Sequence, residues 1–296
     1  MSGFSPAWLA LREPADHDAR SEELVRWAVG ADPLSGRPRK IVDLATGTGS
    51  NPRYLMPRIG GAQDWTLFDG DRLVLDALPA RMAAWATRHG WPVVSTHDGV
   101  SAFTLPNGVC RVTACEADLA VTALPELTFV PDLVTASALL DLVSRTWVHS
   151  LVDACRAAGA AALFVLSYDG RLTCTPEDPL DEQLREWVNA HQRTDKGFGP
   201  ALGPDATTAA AEAFERAGYD VERRRSDWVL SAAHTALVTE LINGWASAAA
   251  EYAPRHQQAV EGWRVRRVAE AGRGELRVTV GHEDLAARLA SPPGRD

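Results

Sequence analysis

An α/β fold, doubly wound around a mostly parallel sheet of seven strands, is what three features of the sequence predict. Strand-length apolar runs alternate with helix-length amphipathic stretches from Lys40 to Leu230, the rhythm of a sheet wrapped by crossover helices. The first run, Ile41-Val42-Asp43-Leu44, passes directly into Ala45-Thr46-Gly47-Thr48-Gly49-Ser50-Asn51, a strand, glycine turn and helix start in which backbone can approach a ligand closely. Carboxylates then close successive strands, at Asp69, at Asp118 and, slightly beyond a fourth strand, at Asp141. Ligands of open parallel sheets bind beyond the carboxyl ends of the strands, so these acids stand where a ligand would be read.

The elements follow in order. Ser5-Pro6-Ala7-Trp8-Leu9 reads as a capped helix start that Pro14 interrupts, and a second amphipathic helix runs from about Asp18 to Val29 with Leu24, Val25 and Ala28 inward. Gly30 to Pro38 is a linker. The chain therefore divides into an N-terminal helical cap, residues 1–34, and a ligand-binding domain, residues 35–296. The cap precedes the first strand and is free to lie across the carboxyl edge as a lid, anchored by Trp8, Leu9 and Leu11 with Arg12, Asp16 and Arg20 as polar tips. Its removal through Ala28 is expected to impair turnover more than folding.

In the main domain Lys40 to Leu44 is a buried strand, and Ser50 or Asn51 caps a helix with Pro52 at its first position, kinked again at Pro57. Trp65 to Asp69 is a second strand, and Asp71 caps a helix from Arg72 to His89 with Leu73, Leu78, Met82 and Trp85 on one face. Val93 to Leu105 is an extended, hairpin-like detour. Val109 to Ala114, Asp132 to Ser137, Ala161 to Tyr168 and Val221 to Leu230 are further strands, with helices at Arg145 to Ala158 and Asp205 to Ala217, the latter bracketed by Pro204 and Gly218. Thr235 to Tyr252 and Gln257 to Ala271 form a helical insertion, about 235–271, before a last strand at Leu276 to Val280, and Ser291 to Asp296 reads as a frayed tail.

Composition narrows the function. A net charge of -9 and an isoelectric point near 5.4 argue against a polyanionic partner, since nucleic-acid affinity rests on Lys and Arg neutralising phosphates. The clusters Arg223-Arg224-Arg225 and Arg264 to Arg267 sit among acidic residues and read as solvated faces. Cys110, Cys115, Cys155 and Cys174 have neither disulfide nor zinc spacing, so reduced thiols and no metal are expected. The longest apolar stretch, around Ala160 to Leu166, has strand length, so neither a membrane nor a secreted location is expected. A cytoplasmic protein acting on a small molecule, with a second copy as partner if it forms a homodimer, fits these features. The Ala- and Arg-heavy composition points to a GC-rich bacterium.

The glycine turn discriminates between ligands. A dinucleotide site wants G-x-G-x-x-G, and Pro52 stands where its third glycine should be. With Asp43 four residues before Gly47, the pattern D-x-A-x-G-x-G resembles the first motif of the class I S-adenosylmethionine (SAM) dependent methyltransferases, and in the order of its carboxylates the resemblance extends over roughly Ile41 to Leu230. It implies a Rossmann-like sheet, SAM as cofactor and S-adenosylhomocysteine as product. By the resemblance Asp43 orients the methionine amino group through the glycine loop, Ala45, Gly47, Gly49, Ser50 and Asn51 pack on the cofactor, and Asp118 with Leu119 reads the adenine. Asp69 holds the ribose, with Asp71 as its rival. Arg20 is placed to reach the cofactor carboxylate.

Departures from family subtypes narrow the acceptor. Ser137-Ala138-Leu139-Leu140-Asp141 stands where DNA- or glutamine-amino methylating enzymes carry an Asn/Asp-Pro-Pro-aromatic sequence, and Thr173-Cys174 lacks the second cysteine motif of cytosine-C5 RNA enzymes. No paired carboxylate and asparagine set suggests a magnesium-dependent catechol enzyme. The segment from His191 to Gly199, dense in ionisable groups and glycines, follows the fifth strand where substrate should sit. Tyr168, Asp195, Lys196 and Trp8 are the candidate substrate residues, and His191, Asp141 and Asp169 the candidate bases. Trp8, Trp228 and Trp245 serve either as an aromatic wall or as core, whereas His97, His149 and His282 read as surface or capping residues. The expected activity is methylation of a small polar metabolite at oxygen or nitrogen, in bacterial biosynthesis. Alternatives are an RNA or protein methyltransferase, a SAM-binding protein that transfers no methyl group and, although Pro52 speaks against it, an NAD-dependent oxidoreductase.

Overall fold

A computed structural model describes residues 5–30, 37–95 and 100–290. Most of the linker, His97, the boundary near residue 34 and the tail at residues 291–296 lie outside them.

The sheet grows from β1 (Arg39–Leu44), whose side chains alternate between two packed faces: Ile41 enters one apolar cluster, Val42 and Leu44 the other. Parallel neighbours are β2 (Gln63–Asp69) on one side and β6 (Leu133–Ser137) on the other. Beyond β2 lies β5 (Gly108–Glu116), extended at the edge by the antiparallel pair β4 (Val100–Leu105) and β3 (Val93–Ser95), which realises the detour read from the sequence. Beyond β6 come β7 (Ala161–Thr175), β10 (Arg277–Leu289) and β8 (Tyr219–Arg225), with β9 (Trp228–Leu230) also paired to β10. The described sheet thus holds ten strands in the order β3-β4-β5-β2-β1-β6-β7-β10-β8, with β9 off this path. Seven form the expected core, and in chain order they lie 3-2-1-4-5-7-6 with the last antiparallel. A doubly wound dinucleotide sheet runs 3-2-1-4-5-6, so the wedged antiparallel β10 sets this fold apart from it. The winding reverses between β1 and β6, and both the glycine turn and Asp141 open onto that crevice.

Helices cover both faces. α2 (Glu22–Val29), α3 (Ser50–Ile59) and α4 (Arg72–Arg88) pack on one, α5 (Arg145–Ala158) and α7 (Ala206–Arg216) on the other. The outer halves of β7 and β10, with β9, carry a third cluster under α6 (Asp181–Gln192), α8 (Thr235–Tyr252) and α9 (Gln257–Gly272). The sequence pattern ends β7 at Tyr168 and β10 at Val280, and so misses the outer half of β7 and the long run of β10 back into the main sheet. It also misses α6, whose Leu184 and Val188, four residues apart and fully or almost fully buried, follow an acidic first turn.

Other expectations change at particular residues. α1 (Pro6–Ala19) runs through Pro14 instead of breaking there, because the Arg12–Asp16 and Glu13–Arg53 ion pairs and the burial of Ala15 hold the turns on either side of the lost N–H. α2 starts at Glu22, since the Ser21 hydroxyl accepts the Leu24 N–H at 3.2 Å and Arg20 is extended. Leu73 is 72% exposed and Val74 takes its inward place. The run from Val221 to Leu230 divides at Ser226, whose hydroxyl and amide turn to Asp284 and His282. Finally, Leu24, Val25 and Ala28 join Tyr54, Leu55 and Met56 in the core. A cut after Ala28 therefore removes part of the core, contrary to the expectation of a separable cap.

Candidate functional site

Three left-handed residues, Ala45 (φ 51°), Gly47 (φ 56°) and Gly49 (φ 81°), shape the turn after β1. Gly49 itself caps α3, so neither Ser50 nor Asn51 does, and Pro52 falls at the third helical position. The Gly47 amide donates to Asp69 Oδ2 at 2.8 Å and the Asp71 amide to Asp69 Oδ1 at 2.9 Å. Asp69 thereby ties the glycine turn to the end of β2 while staying only half-buried, and burial raises its pKa above the ordinary value. Asp71 is engaged locally, its Oδ1 accepting the Leu73 N–H at 2.8 Å as the cap of α4. Asp118 accepts the Ala120 amide at 2.9 Å on the exposed rim beyond β5. Leu119 beside it is buried, and its carbonyl accepts the Trp147 indole N–H at 2.6 Å.

Beneath the turn lies a buried polar set. Asn51 donates to Asp43 Oδ1 at 2.6 Å and to the Thr135 hydroxyl at 3.2 Å. Asp43 Oδ2 makes no close hydrogen bond, the Thr46 hydroxyl standing near but outside bonding geometry. Burial pushes the Asp43 carboxyl up to about 7, with Asn51 and Arg20 among the groups that oppose the rise. Arg20, 7% exposed, lays its guanidinium 3.9 Å from the centre of the Tyr54 ring and faces Asp284, Asp16 and Asp43, yet its Nε and Nη2 have no hydrogen-bond partner. Leaving a buried donor or acceptor unpaired costs about 1–3 kcal/mol, more when it is charged. A buried acid and a buried cation, both with free valences, flank one glycine turn.

This set gives a pH prediction. The folded-state pKa of Asp43 lies above the ordinary carboxyl value, so between about pH 4 and 7 the folded protein holds a proton that the unfolded chain has lost, and the contribution of this group to stability falls as pH rises through that window. Asp43→Asn removes the titration while its amide oxygen still accepts from Asn51. The melting temperature of the variant relative to wild type is expected to climb from pH 5 to pH 8 in thermal melts; a difference that is constant over that range would refute it.

α1 lies over the carboxyl edge by two stripes of residues four apart. On one, Leu9 packs against Gly47, where a Cβ would meet its Cδ1 at 3.0 Å, Glu13 pairs with Arg53 at 2.7 Å, and His17 reaches the Ser50 carbonyl at 3.2 Å and hydroxyl at 3.1 Å. Arg53 in turn donates to the Thr48 carbonyl at 2.5 Å. The sequence reading passes over Glu13, His17 and Arg53, although the four-residue spacing of Glu13 and His17 on the first helix is a signal. On the other stripe are Trp8, Arg12 and Asp16, on the helix that packs against β9; Arg12 lies over Trp228, and Arg12 and Asp16 are bidentate at 2.9 and 3.1 Å.

The candidate bases separate. Asp141, in a 3-10 turn just after β6, is 8% exposed with Oδ1 unpartnered. Burial pushes it up to about 6, while the amides of Asp141 itself and of Tyr168 and the charge of Arg12 pull the other way. Asp169 is held in an ion-pair chain with Arg171 and Asp227, and a Cβ on Gly281 would lie 2.1 Å from its Oδ1. His191 pairs with Glu251 at 3.3 Å and with Lys196 at 3.4 Å, and Asp195 accepts the Gly197 and Gly199 amides at 2.7 and 3.1 Å. Phe198 of this segment packs edge-on to Trp147 at 6.1 Å, and the segment's polar groups bond one another and Glu251 on α8. Tyr168 is buried and donates to Asn189 Oδ1 at 2.8 Å. His282, read as a surface or capping residue, is 5% exposed against Trp228, because β10 continues well past Val280. His149 is exposed as expected, and Trp245 is core of α8. Among the described residues no group of three or more His, Cys, Asp or Glu side chains is placed to hold a metal, and no helix is long and apolar enough to cross a membrane.

No protein-family model and no curated protein matches the chain. Among solved structures it is similar to YjhP from E. coli, at 15% identity and a TM-score of 0.46 over 96% of this chain and 99% of that one. It is similar also to a SAM-dependent methyltransferase from Thiobacillus denitrificans in complex with S-adenosyl-L-homocysteine, at 16% identity and 0.45 over 96% and 99%. An O-methyltransferase family protein from Burkholderia thailandensis is similar at 18% identity and 0.41 over 72% and 55%. At such identities and scores below 0.5 the activity rests on this chain's own residues.

Proposed function

We propose that the protein binds SAM at the glycine turn and transfers its methyl group to an oxygen or nitrogen of a small polar metabolite. The observation that carries this reading is a buried acid and a buried cation beside the turn that each keep unbonded atoms: the N–H groups at Nε and Nη2 of Arg20 fit a carboxylate and the Oδ2 of Asp43 fits an ammonium. Together they suit the zwitterionic amino-acid end that SAM has and that a nicotinamide dinucleotide lacks. Asp69 at the end of β2 suits the ribose hydroxyls, each of its oxygens keeping a lone pair beyond its amide bond, and Asp118 with Leu119 at the rim suits the adenine. The antiparallel β10 within the sheet argues in the same direction, against a dinucleotide fold.

When bound, SAM supplies an activated methyl group on a sulfonium leaving group. The chain has then to align the acceptor, exclude water and take a proton. Asp141, just after β6 at the crevice between β1 and β6, is the proton acceptor, and α1, spanning the glycine turn and the end of β9, is the water-excluding cover. The negative net charge supports a small acceptor over RNA. A cytoplasmic, biosynthetic role goes with this reading.

Calorimetry tests it. S-adenosylhomocysteine is expected to bind at micromolar strength. Asp69→Ala should weaken it by roughly tenfold to a hundredfold, as expected for about 1.5–3 kcal/mol of hydrogen bonding to a charged group. Arg20→Gln should weaken S-adenosylhomocysteine but leave 5′-methylthioadenosine, which lacks the amino-acid end, within twofold. Tight NADH binding with no heat from S-adenosylhomocysteine would overturn the assignment, and binding without methyl release to any acceptor would reduce it to a SAM-binding protein.

A further inference from the structure

A second group of buried polar atoms without partners lies under the other stripe of α1, next to the one that covers the glycine turn. They are Asp141 Oδ1, His282 Nδ1, Trp228 Nε1 and Trp8 Nε1. Asp141, His282 and Trp228 are 8%, 5% and 3% exposed, so water does not replace the missing bonds. Buried polar groups are nearly always hydrogen-bonded, and four exceptions gathered round one spot call for an explanation.

They are gathered, as their contacts show. The ring centres of Trp228 and His282 are 4.8 Å apart, and Tyr168 stands edge-on to His282 at 6.4 Å. The Arg12 guanidinium lies over Trp228, 5.0 Å from its ring centre, and its charge acts on both Asp141 and His282. Trp8 is one helical turn before Arg12. The strands place the set at the carboxyl end of the sheet: Asp141 follows β6, Tyr168 lies on β7, and Trp228 and His282 lie on β9 and β10. Because the same helix carries Leu9 against Gly47, the group adjoins the proposed cofactor site.

We infer that this group is the binding pocket for the methyl acceptor and that it takes an uncharged, planar aromatic or heteroaromatic ring bearing a hydroxyl or amino nucleophile. Three features select that class. The walls are aromatic, and stacked or edge-to-face contacts with Trp228, Tyr168 and His282 favour a flat ring over a puckered one. The free groups are two indole N–H donors, one ring nitrogen and one carboxylate oxygen, which suits a ring with an acceptor atom at one end and an O–H or N–H at the other. Arg12 already holds a flat group over Trp228 while its charge is answered by Asp16, so a ring that displaces it enters no unpaired charge. In the reaction the hydroxyl oxygen or amino nitrogen borne by the ring forms a bond to the methyl carbon as the carbon–sulfur bond breaks with its electron pair staying on sulfur. The proton of the nucleophile passes to Asp141.

This inference rests on the SAM reading for its chemistry, but its pocket is tested apart from it. The probe is 4-hydroxybenzamide, flat and neutral with a hydroxyl and a carbonyl at opposite ends, and the control is its saturated analogue 4-hydroxycyclohexanecarboxamide. Each is titrated by tryptophan fluorescence and calorimetry, with and without S-adenosylhomocysteine. The flat probe is expected to bind at least tenfold more tightly than the saturated one. Trp228→Phe, which keeps the ring and removes the N–H, and Asp141→Asn should each weaken it at least threefold while the affinity for S-adenosylhomocysteine is unchanged. Equal binding of the two rings, no binding of either, or a flat-ring affinity indifferent to both substitutions would overturn the pocket. Failure of S-adenosylhomocysteine to bind, with the ring preference intact, would instead overturn the cofactor reading.

Discussion

Gly49→Val is expected to leave no measurable affinity for S-adenosylhomocysteine, a loss of more than about a hundredfold, and to lower the melting temperature. The backbone there has φ 81°, a conformation that costs a β-branched residue on the order of 1–3 kcal/mol by itself. A Cβ would also lie 3.0 Å from Met82 Sδ and 3.3 Å from Arg53 Nη1. Met82 is 1% exposed in the core of α4, and Arg53 is fixed by Glu13 and the Thr48 carbonyl, so neither neighbour has room to withdraw. The turn must therefore deform, and with it the Gly47 amide that meets Asp69. Gly49→Ala should show the same two effects more weakly. Retention of affinity within threefold in the valine variant, measured calorimetrically beside a thermal melt, would mean that the turn does not contact the ligand.

That turn was the most legible part of the chain, for a physical reason. A glycine at positive φ and a strand that must be apolar on both faces are requirements of local backbone and of burial, and both leave marks on single residues: Ile41, Val42 and Leu44 between two clusters, Gly47 and Gly49 in the left-handed region. The helices Arg145–Ala158 and Thr235–Tyr252 were equally plain, since each carries its own apolar stripe. Partnering was less legible. Asn51 looked like a cap and instead holds Asp43 from the next turn of chain, a contact made by tertiary folding. The segment around His191 looked chemically rich because it is dense in ionisable groups, but these groups are engaged with one another and with Glu251 on α8, a partner that sequence spacing does not reveal. His282 was hidden by the opposite circumstance: one histidine in a polar-looking stretch gives no sign of burial until β10 is seen to run on to Leu289 beside β7. The acid at Asp141 stood out only by its place after a strand, and it is this residue that the packing leaves buried and without a partner at Oδ1.

Asp141→Asn is expected to slow turnover by roughly a hundredfold to ten-thousandfold, the range for loss of a positioned general base, with affinity for S-adenosylhomocysteine unchanged. The pH profile separates this role from a structural one. With the carboxyl at about 6, only the ionised form accepts a proton, so kcat/KM of the wild type should rise tenfold per pH unit up to about pH 6 and level off above it. Asp141→Asn should lose that rising limb along with the rate. Arg12→Gln removes the cation whose charge lowers the Asp141 pKa, and the limb should move to higher pH, so that the variant is slower than wild type at pH 6 and approaches it at pH 8. A structural role for Arg12, through its pair with Asp16 and its contact with Trp228, would lower the rate at both pH values alike. An asparagine variant within threefold of wild type, or a limb that stays in place when Arg12 is neutralised, would remove Asp141 from the proton transfer and leave the acceptor to lose its proton to solvent.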